Sequence, residues 1–587
     1  MHTKTARSKA PPAKTTKNVH KISIEDKLKL ALLPFRDTIL PMDVKEHGVM
    51  ASLHNESGTS SGASAADNAT VEQLQQILGR DNVLLDTGSR EFYSQDLSFR
   101  PHEVAAMVLQ PASVEALADA VGVATRAGFA VVPRGGGMSY TSGYCPERER
   151  SVLIDMRKMN RVVEINADDM YVIVETGCTW KDLHEALAPH GVRTPYWGPL
   201  SGAYATVGGA LSQNSLFHGS GTGGTAAQTV IGLKVVLADG RVVTTGSWAH
   251  KNSTPFWRHF GPDVTGLFTA DTGAMGVKAV AALRLVRAAG HTGYLSYKFD
   301  TLEAMLAAQV RIARLGIASE CYGFDPYYNA GFENQGITFE EGLSLVGKIA
   351  RKGGLRGLKN AARVALGGKK ILKNVPYSLH MTLDALTEVV AAEHTDLAAE
   401  ICTDEGGTEM ANSIPTVFRN APFGGVRTIL LGSQGEIWIP VHGYFPLSRA
   451  IPAAQATERF LAERKPLMEK WGIKTSYLTC FSGPEFVIEP SFYWHDQLGE
   501  FRLSLIEPEF ADKWRDIPAD EARRAVALGL RDELRNLFDE LGGLHLQIGK
   551  YYPYREIMNN AALGDVVAGV KAVVDPERLM NPGALGL

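Results

Sequence analysis

Apolar residues first fall into a regular pattern at Val71, where Val71, Leu74, Ile77 and Leu78 recur at helical spacing. The run Val104–Leu109 is apolar throughout and stops at Gln110-Pro111, which predicts a strand. From Val114 to Ala127 the helical interval returns, and Phe129-Ala130-Val131-Val132 predicts a second strand. A strand–helix–strand order of this kind predicts a mixed α/β layer. Val172-Ile173-Val174 reads as a further strand and Trp180–Ala188 as a helix. Asp239-Gly240 lies between the β-branched runs Val230–Leu237 and Val242–Thr245 and predicts a hairpin. Ala281, Leu283 and Leu285 alternate, which closes the first folded region near residue 288. Beyond it, Pro452–Trp471 and Ala519–Leu541 predict long helices, and Gly435–Gly443 predicts a strand.

The predicted strand Phe129–Val132 runs into Pro133-Arg134-Gly135-Gly136-Gly137-Met138-Ser139-Tyr140. Glycine lets backbone N–H groups come close to a ligand, and consecutive N–H groups make a nest for phosphate oxygens. The pattern is neither a P-loop nor the Gly-x-Gly-x-x-Gly fingerprint of dinucleotide folds. Three glycines in a row also suit a merely flexible loop. Two further clusters argue for a ligand. One spans Pro199–Ala210 and continues at Gly221–Ala226; the other is Gly261–Phe268 followed by Asp271–Val277.

Taken in order, these clusters resemble the FAD-binding domain shared by vanillyl-alcohol oxidase and p-cresol methylhydroxylase, the PCMH type. Within that superfamily the chain resembles FAD-linked oxidases of the D-lactate and D-2-hydroxyacid dehydrogenase type. The matching stretches are Arg134–Gly137, Thr206–Gly209, Gly261–Phe268 and the terminal Asp575–Gly583. The resemblance implies an α+β protein. An N-terminal extension, 1–70, would precede a two-subdomain FAD-binding domain at 71–288. An α/β substrate or cap domain would follow at 289–555, and a tail, 556–587, would return to the FAD domain.

It also implies FAD contacts at Pro133, Arg134, Gly135, Gly136, Gly137, Met138, Ser139, Pro199, Thr206, Val207, Gly208, Gly209, Gly224, Thr225, Ala226, Ile231 and Asn581. Relatives that tether the flavin covalently place His where this chain has Met138 and Cys where it has Tyr204, so non-covalent FAD is expected. His545 and Lys550 fall where hydroxyacid dehydrogenases carry His-Gly-x-Gly and ether-lipid synthases carry a His-His pair. Tyr554-Arg555 resembles the Tyr-Arg pair with which phenol oxidases hold a phenolate. A packed core histidine and a structural arginine are the plainer readings of these positions. His495, within the dense cluster Glu489–Asp496, and His442 are candidate bases, because an imidazole suits removal of a hydroxyl proton. Arg427 could hold a carboxylate through both guanidinium nitrogens. The Gly-Asp-Gly-Asn-Leu-His motif of metal-dependent hydroxyacid dehydrogenases is missing, so no metal is expected.

The reading is therefore an FAD-dependent oxidoreductase, a dehydrogenase or oxidase, taking hydride from a hydroxylated carbon of a 2-hydroxyacid-like substrate. The alternatives are an oxidase of para-substituted phenols and a non-redox flavin transferase like alkylglycerone-phosphate synthase. An electron acceptor (a quinone, a cytochrome or O2) and a homodimer are expected.

Composition adds a few constraints. The formal net charge is −4 over 587 residues, which gives no overall attraction to nucleic acid. Five scattered cysteines without a Cys-x-x-Cys suit a reducing cytoplasm. No run is apolar enough to span a membrane. Asn55–Ser64 reads as a flexible linker. From Gly342 to Leu383 there is no acidic residue but nine lysines and arginines among aliphatic positions. The plainer reading of such a basic amphipathic stretch is a solvated helical face with its apolar stripe packed on the domain; the second reading is peripheral contact of 342–383 with an anionic inner-membrane surface.

Overall fold

The computed structural model describes residues 65–99, 102–334, 375–424 and 426–587. Its first sheet has strand order Val83–Leu84, Met107–Leu109, Ser151–Asp155, Ala130–Arg134; the last three are parallel to one another. The helix Val114–Arg126 makes the crossover between two of them. Ser113 starts it by accepting a hydrogen bond from the Ala116 N–H. Its face of Leu117, Ala120, Val121 and Ala124 is fully buried, which drives the helix onto the sheet. The expected strand Val104–Leu109 is regular only over its second half.

A second sheet is antiparallel, in the order Val162–Asn166, Tyr171–Glu175, Val277–Arg284, Val230–Val236, Val242–Thr244. The Asp239-Gly240 hairpin joins its last two strands, with Gly240 at φ +86°. The helices Trp180–Leu187 and Val207–Gln213 pack here, their Trp180, Leu183, Val207 and Leu211 sharing a core with Val172 and Leu233.

The third sheet is the largest among the described residues, with eight strands paired antiparallel. Its order is Thr408–Glu409, His291–Phe299, Tyr377–Ala385, Glu320–Phe324, Lys474–Ser482, Glu485–Trp494, Ile437–Pro440, and Gly443–Pro446 also pairs with Glu485–Trp494. The helices Leu302–Leu315, Ala450–Trp471 and Glu521–Glu540 share its core. One expectation holds with a break and another changes. Gly435–Gly443 runs along Glu485–Trp494 in a single antiparallel register: Ile437–Pro440 pairs with Ser491–Trp494 and Gly443–Pro446 with Glu485–Ile488, the regular strand lapsing only at Val441-His442, where the Val441 N–H still donates to Pro490 O at 2.8 Å. Of the basic stretch read as a solvated face or a membrane contact, 342–374 lies outside the described residues. Tyr377–Leu383 is an interior strand instead, with Leu379, Met381 and Leu383 wholly buried. Hydrogen bonding on both edges and apolar packing leave that strand no free face. Among the described residues no helix is long and apolar enough to cross a membrane.

The chain end returns to the first sheet. The Val131 N–H donates to Leu579 O at 2.7 Å, and the Asn581 N–H donates to Val131 O at 2.8 Å. One buried carboxylate organises this return. Asp575 accepts from the N–H groups of Leu579 (3.0 Å) and Met580 (2.8 Å) and pairs with Lys571 at 2.6 Å. Lys571 in turn donates to Ala274 O and Met580 O. Breaking a buried pair from one side leaves the other charge without compensation, at a cost of about 3–5 kcal/mol. Asp575→Ala is therefore expected to lower unfolding free energy by about that amount in denaturant titration; a loss below about 1 kcal/mol would contradict the clasp.

Candidate active site

The strand Ala130–Arg134 ends in the Gly135–Ser139 loop, and the loop lies directly against 204–206. A Cβ on Gly135 would meet the Thr206 hydroxyl, and one on Gly136 would drive into the Tyr204 carbonyl oxygen. Gly137 has φ +73°, and a Cβ there would come within 2.6 Å of the Phe501 ring. These glycines are required by close approach, so the loop is fixed in shape. The Thr206 side chain caps the helix Val207–Gln213 by accepting from the Gly209 N–H at 3.3 Å.

A cavity of about 210 Å³ opens above this loop. Gly135–Tyr140, Pro199, Thr206 and Gly209 form one end of it. At the other end stand Phe217, Tyr328, Trp438, His442, Glu489 and Tyr493. The strand Glu485–Trp494 supplies this far wall by alternation. Val487, Glu489, Ser491 and Tyr493 face the cavity, while Phe486, Ile488, Phe492 and Trp494 enter the core. A smaller recess beside the loop is lined by Pro133, Arg134, Gly208, Gly209 and Lys278 among others.

Glu489 is the one charged side chain among the described residues that line the main cavity. Burial pushes its pKa up to about 7, partly opposed by the Tyr140 hydroxyl. That hydroxyl donates to Oε2 at 3.4 Å, long for a hydrogen bond. The Tyr140 ring meets the Trp438 ring edge-to-face at 5.5 Å. Arg531 holds this arrangement from behind. Its Nη2 donates to Tyr140 O at 3.0 Å, its Nε donates to Pro440 O at 2.8 Å, and its guanidinium lies 3.7 Å over the Tyr551 ring. One buried side chain thus joins the glycine loop to the large sheet.

His442 reaches the cavity with both ring nitrogens engaged. The Gln547 N–H donates to Nε2 at 3.1 Å, and Nδ1 lies 2.8 Å from the Tyr552 hydroxyl. An accepting Nε2 places the proton of the neutral ring on Nδ1. Burial, with His545 and Arg531 nearby, holds its pKa well below the usual histidine value. His442 is a strut here rather than a free base.

The other expected side chains stand apart from the cavity. His545 is buried between Asp539, at 2.7 Å from Nε2, and His442 O, at 2.9 Å from Nδ1, and it stacks on Tyr552. Lys550 donates to Cys145 O at 2.7 Å. His495 contacts Gln434 O, just past the end of its strand. Arg555 is exposed beside Gly586, and Tyr554 packs on Ala274 and Leu585. Arg427 pairs with Glu507 at 3.1 Å and covers Phe510.

Among the expected cofactor contacts, the Gly135–Ser139, Pro199, Thr206 and Gly209 positions border the main cavity. Arg134 turns its guanidinium away, donating to Gln95 O at 2.6 Å and lying 4.8 Å over Phe501. Thr225, in a capping box with Gln228, starts the helical turn Ala226–Thr229, which keeps Gly224, Thr225 and Ala226 out of the lining. Ile231 is core, as is Val207. Asn581 donates to Gly143 O and Thr272 O, tying loops together. Glu489 and Arg531 went unassigned in the sequence. The alternation from Phe486 to Trp494 is the signal that marks Glu489 as facing away from the core.

Comparison with known proteins fits this geometry. The model of an FAD-binding domain matches residues 105–246. The chain is 29% identical over 215 residues to glycolate oxidase subunit GlcD of Bacillus subtilis, covering 37% of this chain and 44% of that protein. It is 32% identical over 248 residues to the mitochondrial D-lactate dehydrogenase [cytochrome] of Arabidopsis thaliana, covering 42% and 41%. The chain thus spans less than half the length of these two relatives. In fold it is similar to substrate-bound p-cresol methylhydroxylase (TM-score 0.64, 16% identity, 89% of this chain and 98% of that one). It is also similar to alkyldihydroxyacetonephosphate synthase (TM-score 0.63, 15% identity, 94% and 90%).

FAD suits the cleft on two observations. A loop stripped of Cβ atoms gives backbone N–H groups access to phosphate oxygens. The Gln213 side-chain amide is buried at the cavity beside the Tyr144 hydroxyl and makes no well-formed hydrogen bond among the described residues, which leaves it able to meet a polar ligand. Gly136→Val is expected to leave purified protein with less than about a tenth of the wild-type flavin absorbance. Stoichiometric FAD in that variant would contradict the cradle.

Proposed function

From a chain whose residues 105–246 match an FAD-binding domain, we propose an FAD-dependent oxidoreductase that takes hydride from a carbon bearing a hydroxyl group. The observation that carries this reading is one continuous cavity. Its glycine end suits the phosphates of FAD, and its aromatic end holds a carboxyl group that can exchange a proton near neutral pH. The names of the relatives support the reaction class.

Bound FAD supplies the two-electron acceptor, at flavin N5. The chain's own residues do the rest. Backbone N–H groups of Gly135–Ser139 would hold the cofactor, with Thr206 and Gly209 beside them at the cavity. Tyr140, Trp438, Phe217 and Tyr493 wall the reacting end and keep bulk water from it. Arg531 sets the distance between loop and sheet, and His442 fixes Tyr552 and Gln547. Oxidation of an alcohol also needs an acceptor for the hydroxyl proton, and His442 has no free nitrogen for it.

A 2-hydroxyacid, the substrate expected from the sequence, would bring a carboxylate. No lysine or arginine lines the described cavity to receive one, so the reading rests on the hydroxylated carbon rather than on the acid. Non-covalent FAD remains part of the proposal, since Met138 and Tyr204 stand at the tether positions. The transferase alternative draws on likeness of fold alone, and Leu544 precedes His545 where the synthases carry a second histidine.

An anaerobic visible titration of the flavoprotein with 2-hydroxyacids, benzylic alcohols and 4-alkylphenols tests the reaction. Loss of the oxidised flavin band with one class is expected. A bound flavin that none of them reduces would contradict it.

A further inference from the structure

Among the described residues, the chamber has aromatic walls and a single carboxyl group. Tyr140, Phe217, Tyr328, Trp438 and Tyr493 present ring faces and edges, which suit an apolar body. Glu489 projects among them from the strand Glu485–Trp494, opposite the loop that carries the glycines. A proton acceptor is wanted at this end, and a second carboxylate entering it would meet the half-buried Glu489 carboxylate within a walled cavity, where like-charge repulsion exceeds that in bulk water. We propose that Glu489 is the catalytic base of the chamber, and that its carboxylate restricts the chamber to uncharged alcohols with an aromatic body and excludes hydroxyacids. This rests on the oxidoreductase reading above.

The step balances. The substrate C–H bond breaks and its electron pair leaves as hydride for FAD. The O–H proton passes to a Glu489 carboxylate oxygen, and the C–O bond becomes C=O. The substrate loses two electrons and the cofactor gains them.

The groups facing Glu489 leave it as the one that changes charge near neutrality. Tyr140 comes from the glycine loop, Tyr328 from the helix Pro326–Asn334, Cys480 from the neighbouring strand and Tyr552 from beyond the long C-terminal helix. Burial pushes the pKa of each of them up, so they stay neutral. His442 is held neutral from the other direction. The Arg531 charge stands behind Tyr140, on its carbonyl. A base lifted to about 7 by burial is matched to work at neutral pH. Its active form is the carboxylate, so turnover rises with pH through that value.

The experiment uses the FAD-loaded full chain and two compounds of one skeleton, 1-phenylethane-1,2-diol and mandelate, which differ in bearing CH2OH or a carboxylate. Flavin reduction is followed by anaerobic stopped flow between pH 5.5 and 8.5. Mandelate binding is read separately, from its perturbation of the oxidised flavin spectrum. The diol is expected to reduce the flavin at a rate that rises about tenfold per pH unit below about 7 and levels above. Mandelate is expected to be at least about 100-fold slower. Glu489→Gln is expected to lose about 100-fold or more in rate together with the pH limb, and to bind mandelate at least about tenfold more tightly. Glu489→Asp keeps a carboxylate and is expected to keep both the limb and the weak binding of the anion. Equal reduction by both compounds in the wild type would overturn the proposal. So would a Glu489→Gln variant with an unchanged rate and pH limb, or with unchanged mandelate affinity. If neither compound reduces any variant, the catalytic-base claim falls, and the wider titration with 4-alkylphenols and other alcohols decides the oxidoreductase reading separately. The binding titration needs no turnover and still decides the charge claim: tighter mandelate in Glu489→Gln upholds it, and equal affinity overturns it. If Glu489→Gln does not fold, Glu489→Asp decides: loss of its pH limb or tight mandelate binding would overturn the proposal.

Discussion

The rest of the structure depends on how closely the Gly135–Gly137 loop approaches the segment 204–206. Side chains are excluded there by the Thr206 hydroxyl and the Tyr204 carbonyl. That constraint turns a stretch which could have been a floppy loop into a rigid floor of peptide groups. It also fixes where the next residues go. Met138, Ser139 and Tyr140 are carried up into the cavity, and Tyr140 arrives against Trp438 and Glu489 of the large sheet. Cofactor end and reacting end are therefore set by one short segment of backbone.

Two buried cations stabilise this arrangement from opposite sides. Lys571, with Asp575, holds the chain end against Val131 just before the glycine loop. Arg531 holds the far end of the loop to Pro440. Both spend their donors on backbone carbonyls or on a buried carboxylate, so neither places a positive charge in the chamber. Among the described residues the chamber is lined by one carboxyl group and by no lysine or arginine, and desolvation pushes the pKa of that carboxyl up to about 7.

Parts of the first two sheets were legible because their signals are local. The helical spacing of Val114–Ala127, Asp239-Gly240 between β-branched runs and three glycines after a strand each carry their structural reason within a few residues, whereas the strands Ser151–Asp155 and Val162–Asn166 were not read from the sequence. The third sheet depends on pairings between strands more than 100 residues apart, such as Glu320–Phe324 with Lys474–Ser482, and no local pattern states them. This is why His442 looked like a base and proved a strut, and why Tyr554-Arg555, read through a resemblance, lies at the surface beside the chain end. Glu489 was visible as one acid in a dense cluster. Its meaning came only from the alternation that turns it toward the cavity and from the burial that the opposite loop provides. Arg531 had no signal at all: in a helix rich in arginine, nothing but the fold distinguishes it from Arg523, Arg524 or Arg535.

On the proposed reading, one segment of backbone would seat the FAD phosphates on the glycine floor and the reacting ring beneath Glu489. A crystal structure of the FAD-loaded protein is the decisive measurement. The diphosphate is expected within hydrogen-bond reach of the N–H groups of Gly135–Ser139, and the flavin ring between Tyr140 and the strand Glu485–Trp494, its reacting edge toward Glu489. A flavin ring seated outside that chamber, or a diphosphate held elsewhere, would contradict it.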